Sequence, residues 1–131
     1  MTAGYSLTPL PAKLGIRTGS RVLLDGAPDG FALAGVATHR RPGPAAYDVV
    51  LLFAPDRDRL LRRWEPVAHR LTVAGRLWVC WPKRASGLQT DLAEGDVRDF
   101  GLSRGLVDVK VCAIDATWSG LAFVRRLADR P

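Results

Sequence analysis

At 131 residues the chain is the size of one ordinary domain, long enough to bury roughly two-thirds of its unfolded surface and to fold without staples. An apolar content of 47% against 24% charged residues excludes a disordered or fibrous chain, and no apolar run approaches the roughly 20 residues that span a bilayer. The formal charge of +6 favours anionic partners in encounter without naming one, because 16 of the 19 basic residues are Arg, a bias that fits a GC-rich coding sequence as well as a binding surface.

Residues 1–13 show no charged segment followed by an apolar one, so no leader is expected and the cytoplasm is the expected location. Within a 1–19 arm, Thr8-Pro9, Leu10, Leu14 and Gly15 predict one short capped helix. Arg21–Asp25 reads as the first strand, ended by the turn Gly26-Ala-Pro-Asp-Gly30. A helical turn or two over Asp29–Ala34 and a brief strand over Val36–His39 follow, then the breaker Arg40-Arg-Pro-Gly-Pro44. Tyr47–Phe53 is a continuous apolar run bounded by Pro44 and Pro55, the pattern of a central parallel strand covered on both faces.

From Asp56 to Leu71 the apolar positions Leu60, Trp64, Val67, Ala68 and Leu71 recur at helical spacing, with Pro66 expected to kink or divide the helix and Gly75 to turn the chain. Arg57, Arg59, Arg62, Arg63 and Arg70 form the charged face of that helix, read as solvated. Arg76–Trp81 is the next strand, and a helix opens at Thr90-Asp91 and runs to about Leu102. Leu106–Ile114 and Gly120–Arg125 pair as an antiparallel hairpin.

Strands alternating with helices imply right-handed crossovers. The fold class is therefore α/β: a three-layer, Rossmann-like, mostly parallel six-stranded sheet in the order 2-1-3-4-6-5 with a C-terminal antiparallel hairpin, forming a single domain over residues 1–131. In that order the last strand separates those carrying Cys80 and Cys112, so these two thiols, both in apolar runs, are small buried hydrophobes rather than a disulfide.

Leu71-Thr-Val-Ala-Gly-Arg-Leu-Trp-Val79 resembles the helix-to-strand passage of class I, S-adenosylmethionine-dependent methyltransferases, and the terminal hairpin is a hallmark of that family. Val22–Gly30 lies where the family has its glycine-rich first motif, and Asp48–Phe53 where it has its fourth. More closely, Leu23–Phe31, Trp81-Pro-Lys-Arg-Ala-Ser-Gly87 and Trp118–Val124 resemble a small bacterial family catalogued as a domain of unknown function, itself similar to a shortened methyltransferase fold. The departures bear on chemistry. Aligned on Gly26 and Gly30, the motif's middle glycine is Pro28, and its acidic position is Leu24. Where the family places a ribose-binding carboxylate, this chain has Thr38-His-Arg-Arg41, and only eight residues, Arg40–Tyr47, stand where the full fold inserts a strand and a helix.

Ligands of open α/β sheets bind outside the carboxyl ends of the strands. That edge gathers the ligand-binding candidates Gly26, Pro28, Gly30, Pro55, Trp81, Lys83, Arg84, Ser86 and Thr90, with Asp25, Asp29 and Lys83 as candidate acid–base groups. His39 and His69 have no ligand partners at metal spacing, so no metal is expected, and Ser86, Ser119 and the cysteines lack the surroundings of a nucleophile. Without stacking aromatics or a known module, nucleic acid is not an expected partner. The expected function is a non-methylating, methyltransferase-like domain that takes a small anionic metabolite or a protein partner at this edge. With its motif degraded, no cofactor is expected, S-adenosylmethionine being the one the scaffold suggests. The alternative is a small enzyme, either a minimal methyltransferase or an acid–base catalyst using Asp25, Asp29 and Lys83. An exposed edge strand also admits a homo-oligomer.

Overall fold

The computed structural model describes residues 9–130. Its centre is β3 (Tyr47–Phe53), in which every side chain but that of Asp48 is buried. It pairs in parallel with β1 (Val22–Asp25) on one side and β4 (Leu71–Pro82) on the other, and β2 (Thr38–His39) adds a short parallel edge to β1. β6 (Trp118–Arg125) runs antiparallel between β4 and β5 (Leu106–Ala113), completing the expected order β2-β1-β3-β4-β6-β5.

A parallel strand has to be covered on both faces. One face packs under α2 (Arg57–Ala68) and α3 (Glu94–Ser103), which contribute Leu60, Trp64, Val67, Val97 and Phe100 to a core with Leu52, Val79 and Phe123. α2 starts where Asp56 accepts a hydrogen bond from Arg59 N (2.9 Å), and an Asp58–Arg62 ion pair and a Glu65–His69 contact (2.9 Å) line its outer side. On α3, Gly101 is dictated by packing: a Cβ there would lie 2.0 Å from the Phe123 ring. Among the described residues, the other face has the short helix α1 (Leu10–Lys13) and irregular backbone over it. Leu14 is fully buried there beside Leu24, Leu51 and Phe53, and its carbonyl accepts from the Trp78 indole (3.0 Å). Residues 1–8 of the expected arm lie outside the described residues.

Several local expectations are corrected. Gly75 lies inside β4: Tyr47 opposes Leu71 and Val49 opposes Arg76, so residues 72–75 bulge against Asp48 alone. A Cβ at Gly75 would sit 3.0 Å from the Thr72 carbonyl and 3.1 Å from that of Tyr47, a backbone approach that glycine permits. Pro66 does not divide α2; it falls in the last turn, where its missing N–H costs one bond before the helix stops at Ala68. Residues 29–34 are turns rather than helix, with Gly30 at φ +83°, and the second strand shrinks to Thr38–His39. α3 begins at Glu94, not Thr90, because Thr90 Oγ1 is taken by Leu92 N and Asp91 Oδ1 by Arg57 N, while Asp96 caps Ala93 N.

The short connection over residues 40–46 is held by side chains. Buried Tyr47 accepts from Gly43 N (2.9 Å) through its hydroxyl, which also hydrogen-bonds with His39 Nδ1 (2.6 Å). Arg21 stacks on the Tyr47 ring and donates to the carbonyls of Ala45 and Ala46, and Arg70 donates to that of Gly43.

Cys80 and Cys112 each oppose Gly120 from its two sides. Two strand spacings of roughly 4.8 Å put their Cα atoms beyond the reach of a disulfide. Burial pushes the Cys80 thiol well up from its ordinary value, so the thiolate is disfavoured and any stability from this site is lost only as pH rises above the usual thiol range. Neither thiol of the native protein is expected to react with iodoacetamide at pH 8, and mass spectrometry should find both alkylated after urea denaturation.

Leu14→Ala tests the arm. Removing this buried side chain should cost about 2–5 kcal/mol, seen as a lower urea midpoint with an unchanged slope; an unaltered midpoint would mean that the arm does not hold the sheet.

Candidate functional site

Because β5 and β6 form a hairpin, the ends of β1, β3, β4 and β5 and the start of β6 all reach one edge of the sheet. Two open clefts lie there. The larger, of about 930 Å³, sits between the exit of β4 and the start of α3, with Trp81, Lys83, Arg84, Thr90, Asp91 and Ser119 among its lining. A second, of about 580 Å³, lies toward α1 and is lined by Pro28, Asp29, Gly30, Phe31, Asp115 and Trp118. Leu88, 51% exposed at the crest of the loop leaving β4, borders both.

The candidate residues therefore divide. Trp81, Lys83, Arg84 and Thr90 come together in the larger cleft, and Pro28, Asp29 and Gly30 in the smaller. Ser86 belongs to the loop itself, donating to the Lys83 carbonyl (2.6 Å) and accepting from Leu88 N (3.2 Å). Gly26 and Pro55 border neither cleft. The loop springs from a fixed base, since Lys83 N donates to the Thr117 carbonyl (2.8 Å) and Leu92 is buried in the core.

Asp25 is placed differently from its expected role. Only 4% exposed, it takes both Arg63 donors (Nε at 3.1 Å, Nη2 at 2.6 Å), with Arg59 Nη2 at 4.0 Å. The carboxylate in turn raises the Arg63 pKa by hydrogen bonding. Gly26, at φ +72°, makes room for this arrangement, because a Cβ there would lie 2.6 Å from Arg59 Nη2. Arg59 and Arg63, expected on a solvated face, thus turn inward to β1; their i, i+4 spacing on α2 is the signal that sequence reading passed over.

Charges in the larger cleft are unequally engaged. Glu94 pairs with Arg98 (2.7 Å), and Asp96 with Arg57 (3.5 Å) and the Ala93 N–H. Among the described residues Asp91 accepts from the Arg57 backbone N–H alone (2.8 Å). Among the described residues neither Lys83 nor Arg84 forms an ion pair. Asp91 and Ser119 are cleft residues that were not among the candidates; Asp91 was read as a helix start, and Ser119 reaches the cleft only because it opposes Trp81 across the β4–β6 ladder.

Solved structures share this architecture. A putative methyltransferase from Thermoplasma acidophilum superposes with a TM-score of 0.54 at 11% identity, over 97% of this chain and 77% of that one. LepI, solved in complex with SAM, gives a TM-score of 0.54 at 15% identity over 89% of this chain, which spans 39% of the length of LepI. The fold is methyltransferase-like. No protein-family model and no curated protein matches the sequence, so the likeness to the small bacterial family stands on its quoted motifs alone.

In this methyltransferase-like scaffold the tip of β1 carries an ion pair, and the end of β2 carries His39 bound to Tyr47 and Arg40 folded onto the Phe31 carbonyl. Among the described residues no three metal-type side chains cluster and no helix is long and apolar enough to cross a membrane.

Asp25→Asn should leave Arg59 and Arg63 without their anion. Breaking a buried pair costs roughly 3–5 kcal/mol, and because both guanidinium groups are partly exposed the lower end is expected. Urea denaturation checks this; a loss below about 0.5 kcal/mol would free Asp25 for another role.

Proposed function

We propose that this methyltransferase-like domain does not methylate and instead binds a small anionic ligand in the larger cleft, at Lys83 and Arg84. The observation that carries this reading is the pair of cations lining the cleft without an ion-pair partner among the described residues, while Glu94 and Asp96 are held by arginines. Thr90 and Ser119 add hydroxyls, and Trp81 a buried wall that keeps the site's floor dry.

The residues at the tip of β1 do not fit S-adenosylmethionine. Approach of a ligand to Gly26 meets the Arg59 guanidinium, Pro28 has no N–H to offer, and the cation Arg40 stands at the end of β2 where a ribose needs an acceptor. An acid–base enzyme built on Asp25, Asp29 and Lys83 is disfavoured by the same geometry, since Asp25 is spent on Arg63 and the other two border different clefts.

Thermal-shift and calorimetric titrations at constant ionic strength test the reading. Inorganic phosphate is expected to stabilise the wild-type protein, and the Lys83→Ala/Arg84→Ala double variant should lose at least tenfold in affinity, about 1.4 kcal/mol, with its circular dichroism unchanged. Micromolar binding of S-adenosylmethionine that disappears on substituting Gly26 or Gly30 would overturn it.

A further inference from the structure

The larger cleft is polarised as well as cationic. Lys83 and Arg84 leave the end of β4 on one side, and Asp91 closes the loop on the other, next to the start of α3. The other acids of the cleft are offset by Arg57 and Arg98, whereas Asp91 has no cation within 4.0 Å among the described residues and keeps its charge in solvent reach. The lining also includes the apolar side chains of Trp81, Pro82, Leu88 and Leu92, beside the polar Gln89, Thr90 and Ser119. A cleft lined by one unpaired carboxylate and two unpaired cations offers a partner to each end of a ligand that carries both charges.

We infer that the ligand is amphoteric, with an acid group seated at Lys83 and Arg84, a protonated amine at Asp91, and an apolar body between them against Trp81 and Leu88. This rests on the anion-binding reading of the same cleft and adds the second pole. A ligand of this kind satisfies both ends of the cleft at once, and each opposite-charge contact in a partly desolvated site strengthens the other's specificity. Asp91 is also committed through Oδ1 to the Arg57 backbone N–H, so its orientation is set before a ligand arrives and its remaining oxygen is the one on offer.

A ladder of ω-amino carboxylates from 4-aminobutanoate to 8-aminooctanoate, each compared calorimetrically with its amine-free carboxylate, reads both poles and the distance between them. One chain length is expected to bind about tenfold or more tightly than its carboxylate partner. In Asp91→Asn, which keeps the Oδ1 acceptor for Arg57 N, that ratio should collapse to about one, with the plain carboxylate binding no more weakly than to the wild type. If every amino carboxylate binds no better than its partner while the carboxylates still weaken in Lys83→Ala, the amphoteric inference fails and the anion reading survives. If carboxylates and inorganic phosphate bind the Lys83→Ala/Arg84→Ala variant as well as the wild type, or bind neither, both fall.

Discussion

The central strand β3 holds only while both of its faces stay dry, and among the described residues one face alone has long helices over it. Its ladders to β1 and β4 are parallel, so neither face can be surrendered to water as in an antiparallel sheet. α2 and α3 shield one face in the ordinary way. The other is closed by α1, the buried Leu14 and the irregular stretch after β1, tied down where the Trp78 indole donates to the Leu14 carbonyl and where Phe31 and Trp118 pack edge-on against Phe53.

At the tips of the sheet, Arg59 and Arg63 extend from α2 to the carboxylate of Asp25. An ion pair taken out of water gains little over a well-packed apolar substitute, yet removing one partner is expensive. Once built, such a pair is locked in, and the β1 tip cannot at the same time grip a ligand through that carboxylate. At the β4 exit the loop over residues 83–93 is fixed at its base, and Lys83, Arg84 and Asp91 form no ion pair among the described residues.

Much of this organisation was legible in the sequence because it is governed by period and by punctuation. The continuous run Tyr47–Phe53, the helical spacing of Leu60, Trp64 and Val67, and the closely spaced terminal strands specify a strand, a helix and a hairpin by local pattern, and crossover handedness then leaves little choice of order. What local pattern does not encode is the partner of a polar group. Asp25 and Arg63 are 38 positions apart, and Asp91 meets Arg57 across 34. The bulge at residues 72–75 was hidden for a related reason: a glycine that looks like a turn is needed because a second backbone passes close by.

Net charge, likewise, locates nothing until each cation's employment is known. Arg21 and Arg70 hold the residue 40–46 connection by its carbonyls, Arg125 donates to the Leu71 carbonyl, Arg130 to that of Arg125, and Arg98 bridges Glu94 and Asp108. These arginines serve as struts, a use suited to a rigid, multiply donating fork. Structural likeness at 11% and 15% identity carries the scaffold and the position of its strand tips, but not what is held there. The discriminating feature is thus the difference between charges the fold consumes and charges it leaves facing a cleft, and in the larger cleft, among the described residues, the latter are Lys83, Arg84 and Asp91.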